Sequence, residues 1–94
     1  MIKVVLLTQE QCAFCTQAKA ILERLAVEYP LAVTTLSVAS PEGEAFAVLN
    51  GILFPPGLFL DDESFSYGRL SERKLRREIE RRLGTQQKGA HQAT

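Results

Sequence analysis

Ile2-Lys3-Val4-Val5-Leu6-Leu7-Thr8 leads through Gln9-Glu10-Gln11 into Cys12-Ala13-Phe14-Cys15, which holds the only two cysteines of the chain. The first seven residues are nearly all apolar and are β-branched at Ile2, Val4 and Val5. That pattern suits a strand buried on both faces, as in a parallel sheet covered by helices. After the cysteines, Ala18, Ile21, Leu22, Leu25, Ala26 and Tyr29 fall on one helical face, which predicts a helix from Ala13 to about Glu28 stopped by Pro30. A dithiol at such a junction has a physical use. The first N–H groups of a helix lack intrahelical partners, and the helix dipole places partial positive charge there. A thiolate on Cys12 would sit in that field. Cys15 follows one turn later, near enough for a disulfide to form and break with little backbone movement. The pattern predicts that Cys12 attacks a substrate disulfide and Cys15 resolves the mixed disulfide. Phe14 lies off the apolar stripe, beside the cysteines, and is expected to be partly exposed.

Two other uses of a Cys-x-x-Cys weigh less. A structural zinc site needs four ligands, and the single histidine, His91, lies in a polar tail; no metal is expected. Buried inert cysteines pack inside apolar faces, whereas these two stand where a strand gives way to a helix.

Ninety-four residues make one domain with a modest core. Lys plus Arg and Asp plus Glu each number 11, so net charge implies neither nucleic acid nor an anionic membrane as partner. No apolar run approaches the roughly 20 residues that span a bilayer, and Met1-Ile2-Lys3 lacks a secretory pattern. A cytoplasmic location is expected, where a dithiol is redox-active more often than structural.

Further on, Leu31 to Val38 has strand composition. Ser40-Pro41-Glu42 is a strong helix start, with a capping serine, proline at the first helical position and an acid in the first turn. That helix carries Ala45, Phe46, Val48 and Leu49 and ends at Asn50-Gly51, a left-handed cap pair. Ile52-Leu53-Phe54-Pro55-Pro56-Gly57 forms an apolar loop. Leu58-Phe59-Leu60 and Ser64-Phe65-Ser66-Tyr67, joined by Asp61-Asp62-Glu63, predict a hairpin, and Gly68 breaks its second strand. Ser71 caps a last helix with a narrow stripe of Leu75, Ile79 and Leu83. Its charged face, with Glu72–Arg76 and Glu78–Arg82 at i, i+4, predicts a solvated surface. Gly84 should end it. Residues 85 to 94 are polar and aperiodic and are expected to be a disordered tail after a domain of residues 1 to 84.

The order βαβαββα predicts an α/β fold: a four-stranded mixed sheet with helices on both faces and the dithiol at the C-terminal end of a parallel strand, where ligand sites form. In this the chain resembles a small glutaredoxin-like member of the thioredoxin superfamily. The resemblance rests on Cys12-Ala13-Phe14-Cys15 after the first strand, on Pro55-Pro56 before Leu58-Phe59-Leu60-Asp61, and on Gly68, and it covers residues 2 to 83. It implies a thioredoxin-like, glutaredoxin-type fold and a thiol–disulfide oxidoreductase that reduces protein disulfides through Cys12 and Cys15. It also implies a cis-proline facing the dithiol, assigned to Pro56 with Pro55 as fallback. X–Pro bonds tolerate cis, and the residue before such a bond can pair with an extended substrate. Phe14, Phe54, Pro55 and Pro56 are the expected substrate contacts. A disulfide-bearing protein is the expected partner, and a monomer the expected state. No bound cofactor is implied. Electrons come from a reductase or from glutathione, whose family pattern of paired glycines is reduced here to Gly68 alone. A second reading is a thioredoxin-like binding module or an iron–sulfur carrier held by Cys thiolates.

Overall fold

The computed structural model describes residues 1–51 and 55–92, with side chains as far as residue 84. β1 (Ile2–Thr8) lies inside the sheet because both of its faces are apolar. It pairs in parallel with β2 (Leu31–Ser37) on one side and antiparallel with β3 (Gly57–Leu60) on the other. β4 (Glu63–Tyr67) adds to β3, giving the order β2-β1-β3-β4. The helices are α1 (Ala13–Glu28), α2 (Pro41–Asn50) and α3 (Glu72–Gln92). The predicted βαβαββα order, the thioredoxin-like fold class and the four-stranded mixed sheet are all observed.

Alternation along the strands divides the core in two. Ile2, Val4, Leu6, Leu58 and Leu60 face one side, where Ala18, Leu22 and Leu25 of α1 and Leu75 and Ile79 of α3 cover them. Val5, Leu7 and Phe59 face the other, under Leu36, Val38, Phe46 and Ala47. Val48 and Leu49, which the sequence groups with Phe46, stay exposed on α2. A ten-residue helix laid on a sheet presents only part of its circumference to it.

Local chemistry sets the boundaries of α2. The Ser40 hydroxyl accepts the Gly43 N–H at 3.0 Å, and Gly51, at φ 65°, supplies the left-handed cap. Gly43 is buried against the end of β2: a Cβ built on it would lie 1.8 Å from the Ser37 carbonyl oxygen. The atom it meets is backbone, so the helix itself must shift. Gly43→Ala is expected to destabilise the chain by about 2–3 kcal/mol, measurable as a lower urea midpoint at unchanged slope. A neutral result would mean that α2 does not press on Ser37.

Two details differ from the sequence expectation. Asp61 and Asp62, both at positive φ (48° and 68°), make the hairpin turn alone, so Glu63 opens β4. Lys3 anchors this turn: its N–H donates to Asp61 at 3.0 Å, and its ammonium meets Asp62 at 2.8 Å. The last helix runs on to Gln92, past Gly84 where it was expected to end. Interior glycine costs a helix only about 1 kcal/mol against alanine, and no proline follows to force a stop.

The charged face of α3 is more than solvated surface. Glu78–Arg82 forms the expected pair at 2.7 Å, and Glu72–Arg76 reaches 3.7 Å. Arg76 also grips Glu28 of α1 through both nitrogens, at 2.7 and 2.8 Å, and Arg24 of α1 meets Glu72 at 2.6 Å. Arg82, largely buried, reaches Glu63 of β4 at 2.7 Å. These pairs tie α3 to α1 and β4 at the rim of the face that Leu75 and Ile79 already cover.

Candidate active site

β1 delivers the chain to its C-terminal edge at Thr8, and a tight turn follows. Gln11 takes φ 54° there, a left-handed conformation that side-chain-bearing residues seldom adopt and that clusters at functional loops. The turn places Cys12 as N-cap of α1, in extended conformation. Its Sγ accepts the Cys15 backbone N–H at 3.2 Å, doing what a serine or aspartate oxygen does at a helix start. The Cys12 carbonyl takes the N–H and the hydroxyl of Thr16, at 3.1 and 3.2 Å. The Cys12 sulfur therefore sits in a fixed position with a backbone donor already aimed at it. Both cysteines are free thiols.

The two sulfurs differ in access. Cys12 is half-buried, whereas Cys15 is 2% exposed. Burial pushes the Cys15 thiol up to about 11, and the neighbouring Cys12 sulfur adds to the rise. The Gln9 backbone N–H and the Lys19 ammonium pull it back in part. Cys15 thus holds its proton across the neutral range. The same shift sets a pH dependence. An unfolded cysteine ionises near 9 and the folded one near 11. Stability from Cys15 is therefore whole below pH 9 and is lost as pH rises toward 11. Replacing Cys15 by Ala should flatten the fall in unfolding free energy over that window. An unchanged slope would place Cys15 in water rather than in the core.

A second segment arrives at the same edge. Gly57, the first residue of β3, lies opposite Leu7 of β1 and Tyr67 of β4. The Pro55–Pro56 peptide bond just before it is cis, as assigned to Pro56 from the sequence. Pro56 is buried, and its carbonyl accepts the Gly68 N–H at 2.8 Å. Gly68, at φ 82°, uses a backbone region closed to most residues. Pro55 is half-buried and lines a groove with Gln9, Val38, Ala47 and Val48.

The structure therefore brings Cys12, Cys15, Pro55 and Pro56 to one end of the sheet. Phe14 stands 46% exposed in the first turn of α1. Phe54 lies outside the described residues. Sequence reasoning missed Gln9, whose N–H faces the buried sulfur, and Gln11. A glutamine carries no mark of positive φ, so only the crowding of Gln9-Glu10-Gln11 between strand and helix hinted at a strained turn.

No protein-family model matches the chain. A curated relative, "Probable Thioredoxin" of Archaeoglobus fulgidus, is 29% identical over 90 residues, spanning 96% of this chain and 99% of the relative. Among solved structures, a mutant thioredoxin from Halobacterium salinarum NRC-1 superposes with a TM-score of 0.68 at 26% identity. That match covers 84% of this chain and 72% of the other. Thioredoxin O2 from Arabidopsis thaliana in its oxidised state gives a TM-score of 0.69 at 14% identity, over 86% and 74% of the two chains, a likeness of fold. Fold and relatives together support a redox function.

Proposed function

Because the chain belongs to the thioredoxin superfamily, we propose that its Cys12–Cys15 pair makes it a thiol–disulfide oxidoreductase that reduces protein disulfides in the cytoplasm. The observation that carries this reading is the unequal pair: a reachable sulfur capping a helix, and a buried sulfur one turn behind it. The Cys12 thiolate attacks one sulfur of the substrate disulfide. That S–S bond breaks, the departing sulfur takes up a proton, and a mixed disulfide remains on Cys12. Cys15 then gives up its proton and attacks the Cys12 sulfur, releasing the second substrate thiol. Two electrons have passed to the substrate, and the protein carries a Cys12–Cys15 disulfide until an external dithiol or a pair of thiols reduces it.

Phe14 and Pro55 present the substrate-facing surface in this reading, with Pro56 buried behind it, and the donor is a reductase or glutathione. The relatives bear thioredoxin names, while Cys12-Ala13-Phe14-Cys15 carries neither the Gly-Pro common in thioredoxins nor the Pro-Tyr common in glutaredoxins. The shared dithiol step does not depend on that choice. No described helix is long and apolar enough to cross a membrane. Reduction of insulin's interchain disulfides with dithiothreitol as donor tests the activity. Turnover well above the donor alone supports it, and a rate equal to the background refutes it.

A further inference from the structure

The Pro55-Pro56 pair has a consequence for what the site accepts. Neither residue owns a backbone N–H. Of their two carbonyls, that of Pro56 is occupied by Gly68. Among the described residues nothing takes up the Pro55 carbonyl. A segment laid against this ledge as an added strand finds an acceptor at Pro55 and, among the described residues of the ledge, no donor in return. Ordinary strand addition supplies both. One carbonyl of the incoming backbone is left unmatched, and an unmade hydrogen bond of this kind costs about 0.5–1.5 kcal/mol, roughly 3- to 10-fold in affinity. The groove beside the ledge offers a different kind of contact. Val38, Ala47 and Val48 form its apolar wall, with Val48 77% exposed, and Glu44 and Gly51 complete the lining. Gln9, on its rim, lies in the short turn that leads from β1 to Cys12.

We propose that Pro55 is a specificity-determining residue: by removing a backbone donor beside the dithiol it disfavours glutathione and favours protein segments that place an apolar side chain in the Val38–Ala47–Val48 groove. This rests on the disulfide-reducing reading of Cys12 and Cys15. Glutathione carries charged ends but little apolar surface, so it has nothing to place in the groove that would offset the missing donor. A longer segment offsets the loss by burying apolar surface. An aromatic disulfide without peptide groups needs neither contact.

The test compares kcat/KM for glutathione disulfide with that for a symmetrical aromatic disulfide, in the parent and in Pro55→Val. Restoring the N–H is expected to raise the ratio of glutathione to aromatic disulfide about 3- to 10-fold, through KM rather than kcat. An unchanged or lower ratio overturns the proposal. Should Pro55→Val misfold, a scan of the parent with peptide disulfides N-methylated in turn at the residues flanking the cysteine tests the strand pairing at Pro55 on which the proposal stands. One position should lose about 3- to 10-fold because its N–H meets the Pro55 carbonyl, and a flat scan overturns the proposal. Val48→Asp should slow reduction of insulin while leaving the glutathione rate within about 2-fold, and an equal loss on both substrates contradicts the groove's part. A parent protein inert even toward the aromatic disulfide would instead refute the oxidoreductase reading, so the two failures are distinguishable.

Discussion

Cys12→Ser is expected to lose disulfide reduction by on the order of 10³-fold or more, the scale seen when a covalent nucleophile is removed, while unfolding in urea at nearly the parent's midpoint. Both halves follow from one geometry. In the proposed reaction Cys12 supplies the attacking sulfur, and it also caps α1 by accepting the Cys15 N–H. Serine is among the best N-cap residues, so its hydroxyl can take over the structural task and leave only the chemistry missing. A variant that lost activity through unfolding would show a lowered midpoint. Cys15→Ser separates the steps further. Its Cys12 still attacks, but nothing resolves the product, so the protein should accumulate as a mixed disulfide with its substrate, seen by mass spectrometry and released by dithiothreitol. Insulin reduction by Cys12→Ser at the parent rate would remove Cys12 from the chemistry altogether.

Much of this arrangement was readable before any coordinates. The apolar run of Ile2 to Thr8 has to be covered on both faces, and it is covered by α1 and α3 on one and α2 on the other. Ser40-Pro41 and Asn50-Gly51 mark the ends of α2 through their own backbone preferences. The cis bond at Pro56 is implied by the resemblance, which places a cis-proline before the third strand, and X–Pro bonds tolerate it. What stayed hidden depends on partners distant in sequence. Leu31 to Ser37 reads as a strand, but its composition does not show that it lies at a sheet edge with most of its residues exposed. Arg76 and Arg24 look like members of self-contained charged helix faces. Their partners Glu28 and Glu72 lie 48 positions away, so only the packing of α3 on α1 reveals the contacts. The rise at Cys15 is of the same kind, since its largest cause is burial, which no spacing rule reports.

Phe59→Ala should be the most damaging single core change on the α2 side of the sheet. Phe59 is fully buried and fills the space between Val5 and Leu7 of β1 and the underside of α2. Its ring meets Phe46 edge-on, with centroids 4.6 Å apart and planes at 90°, an arrangement that contributes beyond the area it buries. Truncation to Ala is expected to cost about 3–5 kcal/mol, a large share of the roughly 5–15 kcal/mol that holds a small domain together. At about 4–8 °C per kcal/mol for a chain of this length, the melting temperature should fall by tens of degrees. Phe59→Leu keeps most of the volume and should cost less than about 1.5 kcal/mol. Phe46→Ala, truncating the half-buried partner, should fall between the two. The effect bears on function because β3 begins directly after Pro55 and Pro56, with Phe59 in the strand that the cis bond leads into. When folded molecules are counted by circular dichroism, activity per folded chain should survive Phe59→Ala at low temperature and vanish with the fold on warming. A loss of less than about 1 kcal/mol would mean that α2 does not seal this face, and with it would go the support for the strand that Pro55 and Pro56 lead into.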